Sequence, residues 1–209
     1  MAYIGNKPAN KPVVASDLDP TVITGQTALA VAPADTDEFL ISDAGTLKRL
    51  DASLIGGGGK VLQVVSVNKT DTFSSTSTSF TDVTGLTANI TPSATSSKIL
   101  VNVSISAAGD GGARYAYNLV RGSTNILLGD AASSRTRSSI SGLVMDGHFM
   151  TSNSIVFLDS PSSTSSTTYK IQGRAESGNA FMVNKTATDS DAATIFRPAS
   201  TITLIEIGA

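Results

Sequence analysis

The sequence predicts an all-β protein: an antiparallel β-sandwich or jelly-roll head behind an extended N-terminal arm that carries a small hairpin. Three observations predict it. Beyond residue 60 the apolar residues recur with a period of two, as strands with one dry face require. Turn clusters such as "AAGDGGA", "RGSTN", "DSPSSTSS", "ESGN" and "TDSDAA" interrupt these runs at short intervals. Only 15 % of the 209 residues are charged, against about 25 % in an average soluble domain. Ser, Thr, Asn and Gly fill the difference, and no stretch holds a 3.6-residue period over a usual helix length.

The arm comes first. "NKPANKPVVASDLDP" is spaced by prolines, which fix φ and hold the preceding residue extended, so no helix fits there. In "TDEFLISDAGTLKRLDASLI" two apolar runs flank Asp43-Ala44-Gly45, a hairpin signal. Phe39 and Ile41 alternate with Leu40, so both hairpin faces carry apolar side chains. A lone hairpin is marginal in water. Two apolar faces need two coverings, which other copies of the chain or a larger assembly supply. Phe39, Leu40 and Ile41 are therefore candidate oligomer contacts.

Gly56, Gly57, Gly58 and Gly59 follow, directly ahead of "KVLQVVSV". A phosphate-binding loop would place Ser or Thr after the Gly-Lys pair and open a helix. Here Val61 follows, Leu54 stands where the first glycine belongs, and the next run is rich in valine. The glycines read instead as a hinge. The organisation is then an arm over residues 1–55, a hinge over 56–60 and a head over 61–209.

Within the head, Ile99, Val101, Val103 and Ile105 alternate with Leu100, Asn102, Ser104 and Ser106. Tyr169, Ile171, Gly173 and Ala175 alternate with Thr168, Lys170, Gln172 and Arg174. "RYAYNLVR", "NILLG", "SGLVMDGHFM", "SIVFLD", "AFMVNK" and "STITLIEIG" read as further strands, giving eight to ten. Residues 122–125 form a hairpin loop. Phe73 and Phe80 bracket the tract "TFSSTSTSFT", which marks it as ordered loop.

Several function classes fall away. Residues 1–59 carry 4 basic and 7 acidic side chains and residues 60–209 carry 11 and 10, so neither part has the basic surplus that phosphate backbones demand. Nucleic acid is not an expected partner. There is no cysteine, hence no disulfide, thiolate metal site or thiol nucleophile. No run approaches the roughly 18 apolar residues of a spanning helix, and "MAYIGNKPANKP" has no secretory-signal pattern, so neither membrane nor export signal is expected.

Chemistry is equally thin. His148 is the only histidine; Asp146 is two residues away, but no nucleophile motif accompanies them. "DSDAA" at 189–193 opens like a calcium loop yet lacks its glycine and its terminal glutamate. Glu176 and Glu206 are the only glutamates past the hinge, without tryptophan to stack sugars. The expectation is a non-enzyme with no catalytic residue, no metal and no cofactor. Arg114, Arg121, Arg135 and Arg137 form a modest basic concentration; Arg114, Arg135 and Arg137 are the candidates for contact with an anionic polysaccharide.

Several segments carry a resemblance. "MAYIGNKPA" resembles the openings of tail-fibre and related virion proteins of bacteriophages, marine and cyanobacterial ones especially. "DTDEFLISDAGTLKRLDAS" resembles a short module of such fibres. "FTDVTGLTANITPSATSSKILVNVSISAAG", "LVRGSTNILLGDA", "FLDSPSSTSSTTYKIQGRA" and "STITLIEIGA" resemble their C-terminal head. The resemblance implies a homotrimer, an arm docked on other virion proteins and a distal head that meets a host surface glycan or receptor. It makes Tyr3, Ile4, Gly5, Lys7 and Pro8 the virion-anchor candidates and places the protein on the virion, at the tail or the capsid surface. Two other roles fit the same residues: a capsid decoration protein or head fibre without host recognition, and a tail-associated polysaccharide-degrading enzyme.

Overall fold

The computed structural model describes residues 25, 27, 33–34, 36–55, 60–110, 112, 114–143, 146–176 and 178–208. The hinge glycines Gly56, Gly57, Gly58 and Gly59 and the anchor candidates Tyr3, Ile4, Gly5, Lys7 and Pro8 lie outside the described residues. The chain divides into two units, Met1–Gly57 and Gly58–Ala209.

In the first unit, β1 (Glu38–Asp43) pairs antiparallel with β2 (Thr46–Asp51). Ala44 and Gly45 turn the chain at φ 52° and 82°, the two positive φ values of a type I′ turn, whose twist matches that of the strands. Phe39 stands opposite Leu50 and Ile41 opposite Lys48, while Leu40 faces the other side opposite Arg49. Leu40 is 76 % exposed. The pairs Lys48–Asp43 and Arg49–Glu38 lie on the surface, where ion pairs add little. A 3₁₀ turn, Ala52–Leu54, follows β2.

The second unit is all-β, with antiparallel pairing throughout its described strands. It contains β3 (Val61–Lys69), β4 (Phe73–Ser75), β5 (Thr81–Ile90), β6 (Lys98–Gly109), β7 (Arg114–Arg121), β8 (Thr124–Ile126), β9 (Ile140–Leu143), β10 (Thr151–Asp159), β11 (Thr167–Ala175), β12 (Phe181–Val183) and β13 (Ser200–Ile207). They form two sheets around one core, a β-sandwich. The first sheet is built on β6, whose Ile99, Val101, Val103 and Ile105 are all fully buried. Along one edge of β6 lies β10, from Asp159 opposite Ile99 to Thr151 opposite Ala107. Along the other lie β13 and then β12, in line. β3 and β4 continue the same way, pairing with β13 and β12. The second sheet runs β5–β11–β7, and the far edge of β7 takes β8 and β9, again in line.

Both sheets therefore contain strands that leave and return. One excursion spans 127–139, between β8 and β9; the other spans 184–199, between β12 and β13. Each departs through a residue with positive φ directly after the strand: Leu127 at 55° and Asn184 at 62°. Asparagine tolerates that conformation better than most residues; leucine rarely adopts it. Each gap is closed by side chains. Asn184 is fully buried, and its Nδ2 donates to Lys69 O (2.8 Å) and Asp71 O (3.0 Å), bridging the β3–β4 break. Ser200 Oγ donates to Asn184 Oδ1 at 2.6 Å and accepts from Ser106 N at 3.0 Å. In the second sheet Ser139 Oγ donates to Ile126 O (3.2 Å) and accepts from Leu119 N (2.9 Å), and Ser139 N donates to Asn118 Oδ1 at 3.2 Å. In each sheet a serine and a buried asparagine thus satisfy backbone groups that the broken strands would leave unpaired.

The core is sealed by aromatic packing and one ion pair. Phe181 meets Phe73 at 5.7 Å between centroids and Tyr117 edge-on at 5.8 Å. This packing requires glycine at 173: a Cβ there would lie 2.5 Å from Phe181 Cε2. Across the sheets, Arg121 Nη1 donates to both oxygens of the buried Asp159 (2.8 Å each), and Tyr169 OH donates to Oδ2 at 2.6 Å. Burial and the adjoining Asp159 carboxylate raise the Tyr169 phenol, which stays protonated and donating.

Three expectations need correction. "SGLVMDGHFM" is not one strand. β9 stops at Leu143, and Asp146 makes a turn by accepting from His148 N at 3.0 Å, with Phe149 N on Asp146 O at 3.2 Å. "NILLG" is strand only to Ile126, because Leu127 turns out of the sheet. The described head has eleven strands rather than eight to ten, since the broken strands contribute short pieces. The loop after β7 does make the expected hairpin, with Gly122 at φ 59° and Thr124 and Asn125 already in β8. The tract after Phe73 is ordered as expected: Ser77 N donates to Ser75 Oγ (3.1 Å), and Ala175 N donates to Ser77 O (2.8 Å).

Removing Oγ in Ser200→Ala leaves a buried amide and carboxamide unpaired and should destabilise the head by about 1–3 kcal/mol in urea unfolding. Asn184→Gly keeps the backbone free to adopt positive φ, so an equal loss there identifies the hydrogen bonds, not the dihedral, as the source; wild-type stability in either variant refutes the closure role.

A second prediction concerns Glu206, buried at the end of β13. Burial pushes its carboxyl up, but hydrogen bonds from Ser93 Oγ (2.6 Å), Gln63 Nε2 (2.5 Å) and Ser93 N (2.7 Å) outweigh that and hold it at about 2, against an ordinary 4.5. A folded-state value below the unfolded one gives stability that is full above pH 4.5 and lost as pH falls toward 2. Urea midpoints of the wild type should therefore drop through that window, and those of Glu206→Gln should drop less.

Candidate functional site

The site is built on the outward face of the second sheet. In β11 the alternation that buries Tyr169, Ile171 and Ala175 turns Thr168, Lys170, Gln172 and Arg174 outward. Asp82 of β5 collects two of them, Lys170 Nζ and Gln172 Nε2, each at 2.8 Å. Those two hydrogen bonds, the Lys170 one foremost, hold the Asp82 carboxyl below its ordinary value. Thr168 Oγ1 donates to Asn89 Oδ1 at 2.6 Å. The inner part of the face is thus self-paired.

Toward the start of β7 the pairing is looser and a groove opens. Ala116 stands opposite Arg174 in the register, and its small side chain leaves room between β7, β11 and the 127–139 excursion. The depression has a volume of about 260 Å³ and is lined by Arg114, Ala116, Thr136, Ser138, Ser141, Arg174 and Glu176 among others. Arg114 Nη1 donates to Glu176 Oε1 at 2.8 Å. Arg174 Nη1 donates to Thr136 Oγ1 at 2.7 Å, and its guanidinium lies 5.9 Å from the Phe80 ring centroid. Two guanidinium groups, one carboxylate and three hydroxyls leave a net positive groove with many hydrogen-bonding groups. Such a surface suits a hydroxylated, anionic ligand through charge-assisted bonds.

Of the arginine candidates, Arg114 lines this groove. Arg137 donates from Nε to Gly129 O at 2.6 Å and so braces the excursion from within. Arg135 lies exposed in a turn closed by its own N–H on Ala132 O. Arg121 is the partner of buried Asp159, a structural position. Arg174 is the groove residue that the arginine cluster does not include. Its signal is present in the sequence: it occupies the polar phase of "TTYKIQGRA". Thr136 and Ser138 carry no such signal, because only the excursion brings them to the groove.

The other chemical candidates are locally engaged. His148 is exposed, and its Nδ1 lies 3.0 Å from Asp146 Oδ1 in the same turn. That contact, foremost, lowers the Asp146 carboxyl. Asp189 of "DSDAA" gives both oxygens to Arg197, at 2.9 and 2.7 Å, a bidentate pair within the 184–199 excursion. Glu206 has its oxygens held by Ser93 and Gln63. Phe39, Leu40 and Ile41 lie in the first unit, with Leu40 and Phe39 exposed.

Substitution His148→Ala should shift stability by no more than about 0.5 kcal/mol, as surface changes do, and leave any binding intact. Thermal melting and a binding assay on the same sample test this; lost binding at unchanged melting temperature would place His148 in a functional site.

No protein-family model matches the chain, and no curated protein matches it. Among solved structures, the structure of the infectious bursal disease virus Gx strain is similar at a TM-score of 0.38 and 12 % identity. The likeness covers 79 % of this chain and 43 % of that chain. At that score the likeness carries no functional weight.

Proposed function

We propose that the chain is a structural protein of a virion, a bacteriophage fibre-like protein. In this reading the arm docks on other virion proteins, and the head, as part of a homotrimer, meets a host surface glycan through the groove at Arg114 and Arg174. The observation that carries it is the division of the chain. A head with its own buried core presents an open, positively charged, hydroxyl-lined groove, and a separate unit bears a hairpin with exposed apolar side chains on both faces. A display head and an attachment arm need those two parts. The resemblance of the quoted segments to phage fibres supports the same reading.

The groove favours an acidic saccharide. Its carboxylate would exchange with Glu176 for the Arg114 fork, and its hydroxyls would meet Thr136, Ser138 and Ser141. Calorimetric titration with an oligogalacturonate probe should show binding that Arg114→Ala weakens by roughly tenfold, the loss of one charge-assisted pair. Equal binding by the variant removes the groove from the reading. Immunogold electron microscopy with antibody to residues 61–209 should label the outside of intact particles at the tail. Label confined to the capsid shell favours the decoration role, release of new reducing ends favours the enzyme, and label found only off the particle overturns the virion assignment.

A further inference from the structure

The outward face of the first sheet carries an apolar band that stands exposed among the described residues of the head. In a sheet wetted on one side, outward positions are expected to be polar. Here the register aligns Val64, Ile205, Leu100 and Leu158 in one row across β3, β13, β6 and β10. Val156 stands in the next row, and Val61, opposite Ile207, in the row on the other side. Val61 is 61 %, Val64 58 %, Val156 63 % and Leu158 52 % exposed. The rest of the face is Ser, Thr and Asn. Lys98, bonded to Ser160 Oγ, is the one charged side chain that the alternation of these four strands turns outward among the described residues. The opposite sheet differs: its outward face holds Asp82, Lys170, Arg174 and Arg114.

We infer that this face is covered by a second copy of the same chain. Charge depletion with apolar and small polar side chains is the composition of an interface core. Lack of charge also argues against an acidic or basic partner, which would need complementary groups. Size agrees in order of magnitude: four strands about 4.8 Å apart and four outward rows about 6.7 Å apart give a planar footprint of roughly 500 Å², against the roughly 800 Å² of accessible surface that each partner brings to a standard interface. The inference deepens the self-association in the proposed function by assigning it a surface, and in that respect it rests on that reading.

The test uses the full chain. Light scattering at micromolar concentration should give a multiple of 21.4 kDa, and Val156→Asp should return the mass to that of one chain with an unchanged far-ultraviolet spectrum. Thr87→Asp, on the outward face of the other sheet, should keep the assembly. Because the chain has no cysteine, Val156→Cys installs a single thiol that disturbs packing little, and this variant decides if the aspartate fails to fold. Its maleimide labelling should be slower than that of Thr87→Cys by about tenfold, as burial suppresses thiol reactivity. An assembled chain with equal labelling rates overturns the surface while sparing self-association. A wild type that scatters as one chain overturns both the surface and the oligomeric part of the proposed function, and leaves glycan binding and virion location to their own assays.

Discussion

The head depends on a single buried carboxamide. Asn184 sits where two in-line strands part at once, and its amide group holds Lys69 O and Asp71 O on one side and Ser200 Oγ on the other. Without it, the buried Lys69 carbonyl would face a dry interior unpaired, at about 1–3 kcal/mol, and Asp71 O nearer the surface would lose its partner. The first sheet would keep β13 and β12 on β6, with β3 and β4 beyond them, but the two breaks would lose their direct link. Phe181 and Val183, one to three residues upstream, would then be held at this end only by their pairing with β6 and β4. The second sheet repeats the solution with Ser139 and Asn118, so both layers rest on the same chemistry.

This constraint also positions the groove. The 127–139 excursion is tied to β7 at Ser139 and braced by Arg137, and it delivers Thr136 to Arg174. The floor and one wall come from rigid strands; the other wall is a loop fixed at its root. Rigid elements hold binding groups more closely than free loops do. The groove is thus a consequence of breaking an edge strand and closing the break well.

Much of the fold is legible in the residues, for a physical reason. A sheet face that packs must alternate, and Ile99 to Ile105 and Tyr169 to Ala175 do so without interruption. The hairpin at Ala44-Gly45 is readable because positive φ at two successive residues favours glycine. Legibility fails where local signals do not decide. β5 buries Val83 and then Leu86, three residues on, because Gly85 at φ 87° makes a bulge over the Lys69 side chain. The breaks at Leu127 and Asn184 are set by hydrogen bonds to residues far along the chain. The groove is harder still: Arg114 and Arg174 are sixty positions apart, and only the pairing of β7 with β11 makes them neighbours. The ends of the strands could be guessed; which excursion covers which face could not.

The stitched breaks have a consequence for how such a head changes over generations. Each excursion leaves and re-enters its sheet at points joined directly by side-chain hydrogen bonds, so the loop closes on itself before its own residues matter. Lengthening a loop already closed at its base costs only about 0.6 kcal/mol per doubling. Residues between Leu127 and Ser138, or between Lys185 and Ala199, can then be added, deleted or exchanged while the strands keep their register. The sandwich works as a fixed socket with two interchangeable inserts. Variation in what the head touches can accumulate there, apart from the residues that keep it folded.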